Sequence, residues 1–261
     1  MTDQILTEVI DGVGWLTFNN PKKHNAISLD MSMRGAEVMT EFATDENVRA
    51  IVLKGAGGRA FVSGADISEF DKRRSNADSG DEYERSSTGM FENIRENPKP
   101  TIAMIEGYCM GGGVAIACAC DIRLCSPDAI FAIPAARLGI GYRASFTRWV
   151  LEAVGPSMTK EILYTARRYS SSEAVAMGLA TRVIEKTVLE DYVRNYAATI
   201  AGNAPLSVRA AKGMVAEVVK TPGEWDQEVC KELVRACADS ADFKEGRTAF
   251  MEKRLPEFKG E

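Results

Sequence analysis

The sequence has one histidine, His24, among 261 residues. A metal site built from several imidazoles is therefore excluded, and a Ser-His-Asp triad would have to rest on that single residue. The six cysteines, Cys109, Cys118, Cys120, Cys125, Cys230 and Cys237, contain no C-x-x-C pair, so zinc-ribbon and thioredoxin chemistry fail. Four of them lie in or beside an apolar stretch and read as small buried hydrophobes. There is no basic excess: Lys plus Arg number 32 against 37 Asp plus Glu, a net charge of −5. A nucleic-acid footprint would be basic, whereas a local basic site for a phosphorylated small molecule is compatible with this balance. Long hydrophobic runs are also missing. The uncharged stretch from Gly107 to Cys120 is too short and too rich in glycine to span a membrane. The opening MTDQILTEVIDG carries acid and no long apolar run, unlike a secretory signal. The expectation is a soluble, reduced, cytoplasmic protein.

What is present is ordinary for a globular chain: 45% hydrophobic and 26% charged residues, which rules out disorder. The length fits one large domain, or one domain with a helical appendage, and a sizeable core. Ile5–Ile10 and Val13–Phe18 are β-rich runs around Asp11-Gly12, a strong hairpin signal. Ser28 or Asp30 caps an expected helix to about Thr44, with Met31, Ala36, Val38, Met39 and Phe42 inward. Strands are expected at Ala50–Lys54, Phe61–Val62, from Thr101, at Asp121–Cys125 and at Ile130–Ile133. Residues 71–88 are too polar to pack and read as a mobile loop, either a lid or a mere insertion. From about Ser145 the chain turns mostly helical, in five segments that end near Asp239. The fold class is α/β, with a core over residues 1–200 and a helical region over 201–261.

Three glycine-rich segments each follow an expected strand: GAGGR at 55–59, SGAD at 63–66 and GYCMGGG at 107–113. The last precedes VAIACAC, an expected buried helix. The first N–H groups of a helix lack intrahelical partners and carry the positive end of its dipole, so they can hold an oxyanion or a phosphate. Plain packing of small residues explains the triplet equally well. The spacing is not a dinucleotide fingerprint, and no P-loop occurs anywhere in the chain.

These segments, taken in order, resemble the crotonase (enoyl-CoA hydratase/isomerase) superfamily over nearly the whole chain. N-P-K-K-H-N-A-I-S resembles its adenine-side loop, G-R-A-F-V-S-G-A-D-I its first oxyanion segment, and G-Y-C-M-G-G-G-V-A-I-A with C-D-I-R its second. F-A-I-P-A-A-R-L-G-I-G, S-S-S-E-A-V-A-M-G-L-A-T-R-V and A-F-M-E-K-R-L-P-E-F resemble later elements and the C-terminus. The resemblance implies a crotonase-like spiral of ββα repeats with a C-terminal helical trimerisation region. It implies a homotrimer or a dimer of trimers, a CoA thioester as substrate with no separate cofactor or metal, and a place in acyl-CoA metabolism. Neither nucleic acid nor membrane is an expected partner. The thioester oxygen would sit between the N–H groups of Ala65 and Gly112. Ser63, Asp66 and Ile67 belong to the first oxyanion segment, Lys22, Asn25 and Ala26 to the adenine loop, and Phe250 and Lys253 close over CoA, often from a neighbouring subunit.

Hydratases of this family use two glutamates, and this chain has Ala115 and Ala135 at the matching positions. An alanine can be neither acid nor base, so two-carboxylate hydration is not expected. Tyr142, at a spacing similar to methylmalonyl-CoA decarboxylase-like members, is then the nearest expected proton donor, and Arg137 and Arg143 are candidates to hold a substrate carboxylate. Those members also carry a histidine in the first oxyanion segment, where this chain has Ala65. Glu69 or Asp71 is an alternative source of a carboxylate, although acids there also suit a helix start. Three activities stay open: a lyase or isomerase acting on acyl-CoA, a methylmalonyl- or malonyl-type decarboxylase, and a CoA-thioester-binding protein without catalysis.

Overall fold

The computed structural model describes residues 4–66, 88–221 and 223–261. β1 (Ile5–Ile10) and β2 (Val13–Phe18) form the expected antiparallel hairpin. Asp11 and Gly12 both take positive φ (50° and 78°), as the tight turn of such a hairpin requires. β2 then pairs in parallel with β3 (Ala50–Gly55), and the sheet continues in parallel through β5 (Thr101–Ile105), β7 (Ile122–Cys125) and β10 (Arg182–Val183). The first four residues of β3 and all of β5 are buried, which is why these strands read as continuous apolar runs without alternation.

A second sheet has four strands: β4 (Ala60–Val62), β6 (Tyr108–Met110), β8 (Ile130–Ala132) and β9 (Tyr169–Ser170). The chain gives one strand to each sheet in turn, β3 then β4, β5 then β6, β7 then β8. The expected ββα alternation thus takes physical form as a mixed α/β spiral. The strands at Tyr108–Met110, Tyr169–Ser170 and Arg182–Val183 lie outside those expected from the sequence. Two or three residues carry too short a pattern to register as strands, and partners already in place supply their pairing.

Helix α1 (Leu29–Thr44) is capped by Ser28, whose hydroxyl accepts the Met31 N–H at 3.2 Å. Residues 88–95 are helical (α2). α3 (Gly112–Ala119) is buried at every residue after its first, so it is apolar all round. α4 (Ala144–Thr165) packs on α3 and breaks its helical conformation at Gly155, just before Pro156. α5 (Ser171–Ala176) starts in a capping box between Ser170 and Glu173. α6 (Leu189–Ala201) covers the outer face of the six-stranded sheet, burying Trp15, Val52, Ile102 and Leu124. α7 (Pro205–Val218), α8 (Gln227–Ala238) and α9 (Ala241–Glu252) follow. The last of these goes beyond the five helical segments expected. The polar stretch 71–88, apart from Thr88 in α2, lies outside the described residues. Among the described residues no helix is long and apolar enough to cross a membrane.

Candidate active site

The site forms where the ends of β4 and β6 meet. The polar loop after β2 is braced from inside by Asn25. This side chain is fully buried; its Oδ1 accepts the Asn20 N–H at 2.9 Å, and its amide donates to the carbonyls of Ala56 (3.0 Å) and Ala60 (2.7 Å). Ser63 adds a second tie: its N–H donates to the His24 carbonyl and its hydroxyl to the Lys23 carbonyl. The Asp66 carboxylate meets Lys23 Nζ at 2.6 Å. Asn25, Ser63 and Asp66 therefore tie these loops together, with the side chain of Asn25 hydrogen-bonded within the chain.

Ala65 makes an isolated parallel bridge with Ile27. The bridge uses the Ile27 N–H on the Gly64 carbonyl (2.8 Å) and the Asp66 N–H on the Ile27 carbonyl (2.9 Å). The geometry of a parallel bridge turns the N–H of Ala65 itself to the opposite side. Gly112 stands there, at the first position of α3: a Cβ built on it would lie 4.0 Å from Ala65 N and 3.7 Å from the Phe91 ring. Among the described residues neither N–H has a hydrogen-bond partner. Both residues line one cavity of about 200 Å³, with Ile27, Phe91, Ile140, Tyr142 and Phe146 among its walls.

The glycine triplet has divided duties. Gly111 holds φ 52° and ψ −111°, a conformation closed to residues with a Cβ. Gly113 faces the Val62 carbonyl, from which a Cβ would stand only 2.2 Å. Of the two readings left open by the sequence, packing applies to Gly113, while Gly112 lines the cavity with its N–H free of a partner among the described residues.

The far wall is aromatic. Phe91 and Phe146 stack at 4.7 Å, and Tyr142 meets Phe146 edge-on at 5.8 Å. Phe91 and Phe146 carry no motif, because the wall is assembled from helices far apart in sequence. Tyr142 was the expected proton donor. Its hydroxyl donates to the Gly111 carbonyl at 3.1 Å, and burial, with the Cys118 and Cys109 thiols nearby, raises its pKa well above the usual phenol value. Arg143 lines the cavity with its guanidinium 5.6 Å from the Phe146 ring centre, whereas Arg137 is exposed and does not line it. Among the described residues that line the cavity there is no carboxylate. Ala115 is fully buried, and Ala135 is half-buried in a short 3-10 turn.

Other expected residues lie elsewhere. Lys22 is exposed at the loop edge and Ala26 is buried beneath it. Phe250 and Lys253 sit at the end of α9 and do not line this cavity. Ile67, Glu69 and Asp71 lie outside the described residues. His24 meets Tyr108 edge-on at 5.7 Å. The thiols of Cys109, Cys118, Cys120 and Cys125 are buried and free, and burial pushes Cys125 up to about 12, so they pack and do not attack. Among the described residues no group of three or more potential metal ligands comes together.

Residues 8–261 match the family model described as enoyl-CoA hydratase/isomerase. The chain is 32% identical over 252 residues to a short-chain-enoyl-CoA hydratase of Clostridium acetobutylicum, covering 97% of this chain and 96% of that one. It is 36% identical over 246 residues to a carnitinyl-CoA dehydratase of Proteus mirabilis, covering 91% and 92%. The crystal structure of an enoyl-CoA hydratase/carnithine racemase from Magnetospirillum magneticum superposes with a TM-score of 0.95 at 33% identity, covering 100% of this chain and 97% of that chain.

Proposed function

Because the chain belongs to the enoyl-CoA hydratase/isomerase family, we propose that its cavity takes a CoA thioester and stabilises the enolate formed when charge moves onto the thioester oxygen. The observation that supports this reading is that Ala65 and Gly112 line one cavity and that neither N–H has a partner among the described residues. The oxygen sits between them. Both donors are backbone, one at a helix N-terminus, so neither has to reorganise as charge develops. The aromatic wall of Phe91 and Phe146 makes one side of the cavity apolar, which strengthens both contacts. The Lys22–Ala26 loop meets the adenine end of CoA, with Asn25 as its internal brace. Phe250 and Lys253, remote from the cavity of their own chain, reach CoA in a neighbouring subunit.

The reaction is proposed to be other than efficient water addition. Hydration needs groups to deprotonate water and to protonate the α-carbon, and alanine stands at 115 and 135 with no carboxylate among the described lining residues. Loss of carbon dioxide from a carboxyl group on the α-carbon yields the enolate without a base, the two N–H donors stabilise it, and a water from solvent returns a proton to the α-carbon. Relatives are named as hydratases and dehydratases, so hydration is the activity to measure against. Two assays on the purified protein decide: crotonyl-CoA hydration, and carbon dioxide release from methylmalonyl-CoA and malonyl-CoA. We expect hydration to be about 10²–10⁴-fold below that of a two-glutamate enzyme, with measurable decarboxylation. Robust hydration contradicts the reading. Binding without any turnover marks a CoA-thioester-binding protein.

A further inference from the structure

The hydroxyl of Tyr142 is aimed at one particular peptide group. It donates to the Gly111 carbonyl at 3.1 Å. That carbonyl belongs to the same planar unit as the N–H of Gly112. In a trans peptide the C=O and N–H point in opposite directions, and no peptide bond of the described chain is cis. With the carbonyl turned toward Tyr142, the N–H of Gly112 points to the other side of that peptide, and Gly112 itself lines the cavity. The same oxygen also accepts the N–H groups of Val114 (3.1 Å) and Ala115 (3.3 Å) as α3 begins.

We propose that Tyr142 is a positioning residue for the oxyanion donor Gly112: by donating to the Gly111 carbonyl it orients and polarises the peptide whose N–H receives the thioester oxygen. This rests on the reading of the cavity as a thioester site. Hydrogen bonds in a chain strengthen one another, and a carbonyl that accepts a further bond leaves its own N–H a better donor. The rest of the geometry suits this task. The Tyr142 ring is held edge-on by Phe146, so the hydroxyl cannot swing away without disturbing the wall. The phenol stays neutral across the working pH range, because burial disfavours its anion, and a neutral phenol keeps the hydrogen it must donate. The helix bonds from Val114 and Ala115 already hold the Gly111 carbonyl, and the Tyr142 hydroxyl adds a third donor to it from the cavity side.

The assignment separates Tyr142 from a general acid. A proton donor to the substrate contributes about 10²–10⁴-fold and imprints its ionisation on the pH profile. A neutral hydrogen bond acting through a peptide contributes about 3- to 10-fold, and only where charge develops, so it lowers kcat and leaves KM nearly unchanged.

The test is Tyr142→Phe, which keeps the ring against Phe146 and removes only the hydroxyl. Butyryl-CoA labelled with carbon-13 at the thioester carbonyl serves as the probe, and its infrared stretch is read on the enzyme. Wild type should bind it and move the band to lower wavenumber, as two donors draw charge onto the oxygen. Y142F should bind it with similar affinity and lose part of that displacement. In turnover of whichever acyl-CoA the wild type processes, kcat should fall about 3- to 10-fold. An unchanged band in Y142F overturns the proposal. So does a loss of about 10²-fold or more with the alkaline limb of the pH profile abolished, which marks a general acid. No binding or no displacement in wild type overturns the thioester reading itself, and the role of Tyr142 with it.

Discussion

At the scale of single residues, the site depends on how closely two backbones approach. Gly113 lets the tip of α3 press on the end of β4, where a Cβ would meet the Val62 carbonyl at 2.2 Å. The neighbour is backbone and cannot move aside cheaply. Gly113→Ala should therefore destabilise the fold by about 1–3 kcal/mol, read as a lowered Tm, and should reduce turnover further by separating Gly112 from Ala65. An unchanged Tm with full activity would contradict this account of the triplet. The side chains divide along the same line. Asn25 was legible as part of a loop motif but not as a buried brace, because burial of an asparagine depends on carbonyls at Ala56 and Ala60 that no local pattern reveals. Tyr142 was legible as a residue near the site. Its engagement with Gly111 was not, since that depends on where the chain after Pro134 passes relative to α3.

At the scale of elements, the sequence signals that worked were those with a local physical cause. The Asp11-Gly12 turn, the Ser28 cap and the apolar run of residues 50–53 in β3 each follow from a few neighbouring residues, and the structure shows each where it was expected. The elements that escaped were short or borrowed. β6 has three residues, and its pattern Tyr-Cys-Met is partly buried only because β4 and β8 flank it. β10 is two exposed residues, Arg182 and Val183, beside β7. Neither has a periodicity of its own, so tertiary pairing decides them. α9 escaped for a different reason. Its twelve residues mix charge and aromatics, and the Ser240 hydroxyl that accepts the Phe243 N–H at 3.0 Å starts it.

At the scale of the whole molecule, the ordered motifs carried the fold further than any single element, because each ββα turn must follow the last in the spiral. The C-terminal helices point beyond one chain. Phe250, Met251 and Leu255 are 82%, 80% and 88% exposed, and Tyr164 and Val215 are also uncovered. Exposed apolar surface of this kind calls for a partner, and we propose self-association through α7–α9, as a trimer or a dimer of trimers. Sedimentation should show a species several times the 28.4 kDa of one chain, and a pure monomer would contradict the proposal. The central claim is narrower: the N–H groups of Ala65 and Gly112 receive a thioester oxygen. A crystal structure of the protein with bound butyryl-CoA tests it most directly. The account predicts the thioester oxygen at about 2.7–3.1 Å from both nitrogens, with the acyl chain against Phe91 and Phe146. A thioester bound with its oxygen turned away from both nitrogens, or seated outside this cavity, would contradict it.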